Sequence, residues 1–447
     1  MRIAFVPIDN RPVCYTLPKL IAAIDSEIEL IMPDRKYLGG LNKPADVEKL
    51  FEWMLTVSDI DAAVLSLDTL AYGGLIPSRR CSDSFEEIRN RIFTLREILE
   101  GKNCKVYAFS SIMRISNNNY NEEEKEYWSQ WGKKIFEYSY LSHKTNGKCR
   151  IETGIPSEIL DDYIETRRRN FEINKIYLDW QKKGLLDTLI FSKDDCAQYG
   201  FNVQEAQVLE RMGGYIKTGA DEIPLSLLSC AISGDIKICP IFLEPKCKDL
   251  ISNYEDISIE SSVYGQLELA GCKICDEDDA DILLYINNFK YNQGEIVMNI
   301  GTEEFNGSFV VHDRPYMIAD VRFANGADNN FISEFFKNKI DDKNFYGYSA
   351  WNTSANTLGS LICAAKIKFL AKKYNADAFK RLQITRFLDD WAYQANVRQI
   401  LQSPDVEQLK SNMKSFEKIV GEILNTEVNV NYNFPWNRLF EVEVEFN

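Results

Sequence analysis

The sequence predicts an α/β protein, a (β/α)8-like barrel with additional C-terminal α/β and helical elements, and three observations lead there. Short apolar runs alternate with amphipathic helical patterns over most of the 447 residues. Seven such runs have passed by Pro245, and DADILLYINN supplies an eighth. The runs end in polar residues, as strands do on the ligand-binding face of a parallel sheet. PYMIADVRFANGAD and FYGYSAWNT exceed the barrel count, so doubly wound parallel sheets in two domains are the alternative. A barrel-like catalytic domain is expected over residues 1–288, with residues 289–447 completing or flanking its site.

RIAFVPID reads as a buried strand and PKLIAAI as the helix after it; IELIMP is the next strand. VEKLFEWML is a helix, AAVLSLD a strand, and FEEIRNRIFTLREILE a helix with apolar spacing near 3.6. Strand KVYAFSSI precedes two long helical stretches, 122–141 and 157–183, the second opening behind Pro156. Then come strand TLIFSKDD, helix VQEAQVLERM, strand YIKTGADE, helix LSLLSCAIS and strand KICPIFLEP. Residues 288–309 are polar and read as an excursion. From Leu358 the chain is helical to about Leu424, and FEVEVEF closes it as an alternating edge strand.

Composition removes several functions. The 52 basic and 67 acidic residues give a net charge of −15, which argues against a nucleic-acid partner. With only His143 and His312, neither a three-imidazole zinc site nor a convincing Ser-His-Asp triad can be assembled, so acid–base work falls to carboxylates. His143 reads as a solvated loop residue and His312 as a structural one. The N-terminal apolar run is too short for a signal peptide, and no segment matches a membrane span, so a cytoplasmic location is expected. There most of the 11 Cys, such as Cys230, Cys239 and Cys363, serve as small hydrophobes. Cys272 and Cys275 form a lone CxxC in acidic surroundings, which raise thiol pKa and disfavour redox use. The acidic run 276–281 reads as a solvated turn.

The strand ends carry the functional signal. Asp9, Asn10 and Arg11 end the first run, Asp68 the third, Asp194 and Asp195 TLIFSKDD, and Asp221 and Glu222 YIKTGADE. Later runs end at Asn287 and Asn288, at Asn325 and Asp328, and at Trp351 and Asn352. Asp and Asn also favour strand exits because they turn the chain and cap helices. Adjacent acids are a sharper feature, since repulsion in a dry cleft splits them into a proton donor and a base. Tyr72 lies in DTLAYGGLIPSR, a Gly-containing aromatic loop that is neither a P-loop nor a dinucleotide fingerprint. Asn352, Thr353, Asn356 and Thr357 share a helical face that suits sugar hydroxyls or a phosphate, and also a capping network. Trp436 and Arg438 read as packing residues.

At these motifs the chain resembles a bacterial family known only as a domain of unknown function (DUF4127). The resemblance rests on PIDNRPV at 7–13, DTLAYGGLIPSR at 68–79, AFSSIMR at 108–114 and KDDCAQYG at 193–200. It continues with GADE at 219–222, ADVRFANGAD at 319–328, WNTSANTLG at 351–359 and FPWNRLFE at 434–441. A weaker, site-level likeness is to barrel hexosaminidases, whose strand-end acid pairs are similar to DD and GxDE. That likeness implies an Asp that orients an acetamido group and a neighbouring acid that protonates the leaving oxygen.

The expected function is therefore a carbohydrate-active hydrolase cleaving a glycosidic bond with paired carboxylates, acting on a small carbohydrate without nucleic acid, membrane or cofactor. The catalytic candidates are Asp194 and Asp195, then Asp221 and Glu222. Asp9, Asn10, Arg11, Asp68, Tyr72, Asn325, Asp328, Trp351, Asn352 and Asn356 are the substrate-binding candidates. One alternative is a phosphate or amide hydrolase with Mg²⁺ or Mn²⁺ held by Asp9, Asp68, Asp194 and Asp221. Another is a non-catalytic sugar or metabolite sensor.

Overall fold

The computed structural model describes residues 1–148, 152–194, 196–311 and 313–447. The chain forms two compact units, one of residues 1–10, 30–224 and 254–256, the other of residues 11–29, 225–253 and 257–447. These units cut across the expected 1–288 and 289–447 segments.

The first unit holds a six-stranded sheet built from β1 (Arg2–Val6), β2 (Glu29–Ile31), β3 (Ala62–Ser66), β4 (Lys105–Ile112), β5 (Thr188–Lys193) and β6 (Tyr215–Thr218). Its order is β2-β1-β3-β4-β5-β6, and the pairs β1–β3, β3–β4, β4–β5 and β5–β6 are parallel. β3 reads AAVLS and is buried at every residue, as a strand covered on both faces must be. The second unit holds β7 (Lys237–Phe242), β8 (Lys273–Ile274), β9 (Ile282–Asn287), β10 (Tyr316–Asp320) and β11 (Phe345–Ser349), ordered β11-β10-β9-β7-β8 and parallel throughout. Counted from its own first strand, the second sheet runs 2-1-3-4-5, and the first follows the same order with a sixth strand added.

This corrects the barrel expectation: among the described residues no closed barrel forms, and doubly wound sheets fit instead. Each of the eight expected runs does contain a strand, and the two-residue β8 is an addition. A barrel needs every crossover to advance the same way, whereas here the chain returns past β1 to β3 and past β7 to β9. Periodicity carries no information on that direction.

Local chemistry explains the helices. Ser84 and Glu87 form a capping box before Phe85–Glu100. Thr353 caps Ser354–Leu370, whose Leu358, Leu361 and Ile362 join Leu284 of β9 and Met317 of β10 in one buried cluster. The helix expected from residue 122 begins only at Trp128, and the acids Glu123 and Glu124 just before it serve arginines instead. FEVEVEF ends in Glu443–Phe446, which pairs antiparallel with Val430–Asn433.

His143 is not a solvated loop residue: it lies in the last turn of Trp128–Lys144, and its Nδ1 accepts the Gly200 N–H at 3.1 Å. His312 lies outside the described residues. Cys272 and Cys275 are free thiols, both pushed up by burial. Among the described residues no helix is long and apolar enough to cross a membrane.

Candidate active site

Because β3, β4, β5 and β6 are adjacent and parallel, their carboxyl ends share one edge. Asp68 follows β3, Arg114 follows β4, Asp194 follows β5, and Asp221 and Glu222 follow β6.

Asp68 stands in the first turn of the short helix Leu67–Tyr72, which Ser66 caps. Thr69 Oγ1 donates to the Pro7 or Ile8 carbonyl, each 2.8 Å away, and so ties this helix to the exit of β1. The Asp68 carboxylate accepts the Ser111 N–H at 2.7 Å. Burial pushes Asp68 up to about 6, against the opposing pull of Ser111, Ser110 and Arg79. Gly73 ends the helix at φ +87°, and a Cβ there would lie 2.7 Å from Pro44 Cβ and 2.9 Å from Ala45 N. The chain then re-enters a helix, Leu75–Arg80, which carries Arg79.

Arg79 is 2% exposed. Its guanidinium is 3.5 Å from Glu124 and 3.7 Å from Glu123. Arg114 takes the closer contacts: Nε donates to Glu124 at 3.1 Å and Nη2 to Glu123 at 3.0 Å, while Nη1 is 3.7 Å from Asp194. Helix Ser157–Lys182 holds this assembly from behind. Arg167 grips Glu205 in a fork at 2.9 and 2.7 Å and donates to the Met113 carbonyl at 2.8 Å. Arg169 and Asn170 donate to the Ser78 carbonyl at 2.7 and 2.9 Å, fixing the residue before Arg79.

Glu222 is 1% exposed. Burial, with Asp221, Glu255 and Asp194 nearby, pushes it well above the usual carboxylate range. One of its oxygens accepts the Ala220 N–H at 3.1 Å. Gly219, at φ +107°, makes room for it, since a Cβ there would sit 1.7 Å from Glu222 Oε1. Lys193 pairs with Asp256, which also accepts from Thr218 Oγ1 at 3.1 Å and joins β5 to β6.

The first unit thus sets Asp68, Asp194, Asp221 and Glu222 of the expected residues along one sheet edge. Asp195 lies outside the described residues. Asp9 is buried, and Asn10 is held by backbone bonds to Gly39 and from Arg35. Tyr72 is buried under Arg169, 5.3 Å from ring centroid to guanidinium, and lines a separate cavity of about 710 Å³ with Pro44, Phe51 and Ile76.

The remaining expected residues belong to the second unit. Arg11 stacks on Trp436 at 5.3 Å, with Glu441 3.9 Å away. Asn325 and Asn352 adopt left-handed turns, and the Asn325 N–H donates to the Asn352 carbonyl at 2.8 Å. Asp328 caps helix Asn329–Phe335. Trp351 is buried edge-on to Phe440, and Asn356 follows the cap Thr353 with its Oδ1 buried and unbonded.

Sequence reasoning missed Arg79, Arg114, Glu123 and Glu124 as site residues. Arg114 obeys the same strand-exit rule as the acids and could have been found by it. Arg79, two helices beyond its strand, could not.

Among the described residues, no group of three or more His, Cys, Asp or Glu is placed to share a metal ion, so Asp9, Asp68, Asp194 and Asp221 do not gather as the metal alternative requires. No curated protein and no solved structure matches the chain. A family model described as a protein of unknown function (DUF4127) matches residues 3–445, and the chain belongs to that family.

Proposed function

We propose that the carboxyl edge of the first sheet cleaves glycosidic bonds, making this chain a carbohydrate-active hydrolase. The observation that carries the proposal is Glu222: it is buried at the exit of β6, and burial beside three other acids pushes its carboxyl well above the usual carboxylate range, the direction of shift that suits a general acid. Glu222 gives its proton to the leaving oxygen. Asp194, facing the Arg114 guanidinium at 3.7 Å, supplies the carboxylate that stabilises the sugar cation or takes a proton from the attacking water. Asp221 is the alternate for that role, and Asp195 remains a catalytic candidate by sequence. Asp68, on the same edge, binds a sugar hydroxyl.

A panel of nitrophenyl glycosides, neutral hexosides and N-acetylhexosaminides together with glucuronides and 6-phosphohexosides, tests this. Glu222→Gln is expected to lower kcat by about 10²–10⁴-fold, with the smaller loss on the better leaving groups, and to leave Tm nearly unchanged. Nitrophenol release from no member of the panel, or full activity in Glu222→Gln, would sink the proposal.

A further inference from the structure

Arg79 is a buried cation whose hydrogen bonds are not made. Among the described residues none of its three guanidinium nitrogens makes a hydrogen bond, and each is shielded from solvent. The nearest acids, Glu123 and Glu124, give their hydrogen bonds to Arg114. Buried charges are ordinarily both paired and hydrogen-bonded, because an orphaned donor forfeits its hydration for nothing. Nor does Arg79 hold up its own helix, which Arg169 and Asn170 secure at Ser78. Arg114 lies close enough to repel it. Two neighbouring guanidiniums, one with its fork unserved, are suited to a planar or tetrahedral oxyanion.

We infer that Arg79, with Arg114 beside it, anchors an oxyanion of the substrate, a carboxylate or a phosphate, so that the sugar handled here is an acidic one. The word sugar rests on the hydrolase reading; the anion rests on Arg79. The approach is from the Arg114 and Asp194 side, where side-chain exposure is 17% and 26%. In a chain of net charge −15, long-range steering disfavours an anion, so capture depends on direct contact with a desolvated guanidinium. A neutral sugar would leave that guanidinium unserved, which is how a polar site discriminates.

Thermal shift with inorganic phosphate and with glucuronate, against chloride at equal ionic strength, tests the inference. At least one probe is expected to raise the wild-type Tm by about 2–4 °C, to leave Arg79→Met unmoved, and to bind Arg79→Lys at least about 10-fold more weakly. Which probe acts distinguishes phosphate from carboxylate. No shift with either probe, or an equal shift in folded Arg79→Met, overturns the inference. Nitrophenyl glucuronide and nitrophenyl 6-phosphoglucoside separate the two readings: Arg79-dependent binding without turnover sinks the hydrolase and keeps the anion site. Turnover of neutral hexosides as fast as acidic ones does the reverse.

Discussion

Arg322 in the second unit and Arg79 in the first are both fully buried arginines near strand exits, 0% and 2% exposed. Arg322 has all its nitrogens engaged. Nε donates to Asn287 Oδ1 at 3.0 Å and lies 3.3 Å from Asp328, Nη1 donates to the Glu303 carbonyl at 2.9 Å, and Nη2 reaches Glu244 at 3.3 Å. Asp320 beside it accepts from Asn287 at 2.8 Å, from the Asp328 N–H at 2.9 Å and from Tyr348 at 3.0 Å. The network closes on itself and holds β9, β10 and β11 together. Arg79 has charge neighbours but, among the described residues, no hydrogen bond. Two sheets of like strand order thus put polar residues at the same kind of edge. Satisfaction of their hydrogen bonds, rather than their position, separates scaffold from site.

The comparison breaks most readily on the two arginines themselves. Arg322→Met strips a buried network of its cation and is expected to cost about 3–5 kcal/mol in urea denaturation. Arg79→Met removes a cation that makes no hydrogen bond, while Arg114 continues to serve Glu123 and Glu124, so stability is expected to be unchanged or to rise by up to about 1 kcal/mol. Similar losses in both variants would erase the distinction.

Much of this fold was legible in the sequence because buried parallel strands advertise themselves as apolar runs. β4 matches KVYAFSSI residue for residue, and Ser157–Lys182 begins where Pro156 predicts. What could not be read was the direction of each crossover, which separates one barrel from two open sheets. The strand-exit rule set Asp68, Asp194, Asp221 and Glu222 just after strands, and they do follow β3, β5 and β6 on one sheet edge. It treated Asp328 in the same way, although Asp328 is a helix cap paired with Arg322, because the rule sees residue type and not partners. Arg79 became visible only once its helix was placed and its missing acceptors could be seen.

The acids give a second, smaller contrast in their dependence on pH. Asp68 rises from 3.8 to about 6 on folding. The folded state therefore holds a proton that the unfolded state has released between those values, so stability falls as pH rises from about 4 to 6. Asp68→Asn should flatten that part of the profile, gaining at most about 3 kcal/mol above pH 6. Asp320 rises to about 7, but it accepts three donors that an amide nitrogen would oppose. Asp320→Asn should therefore lose stability at every pH above 7. Denaturation curves at half-unit intervals of pH from 4 to 8 check both, and a flat wild-type profile would contradict the Asp68 reading.

The smallest effect is expected at Asn356, one of several residues of the second unit with a buried side-chain atom that makes no hydrogen bond among the described residues. Its Oδ1 is buried without a hydrogen bond, although its backbone N–H donates to the cap Thr353 at 3.3 Å. That capping bond survives truncation of the side chain, and alanine is the better helix former. Asn356→Ala should accordingly change stability by no more than about 0.5 kcal/mol. A loss above about 2 kcal/mol would mean that the amide does structural work as Arg322 does, and Asn356 would then join the scaffold. A neutral result leaves Asn356 as a polar group kept for something other than stability, and the division between a working sheet and a supporting one would need to admit it.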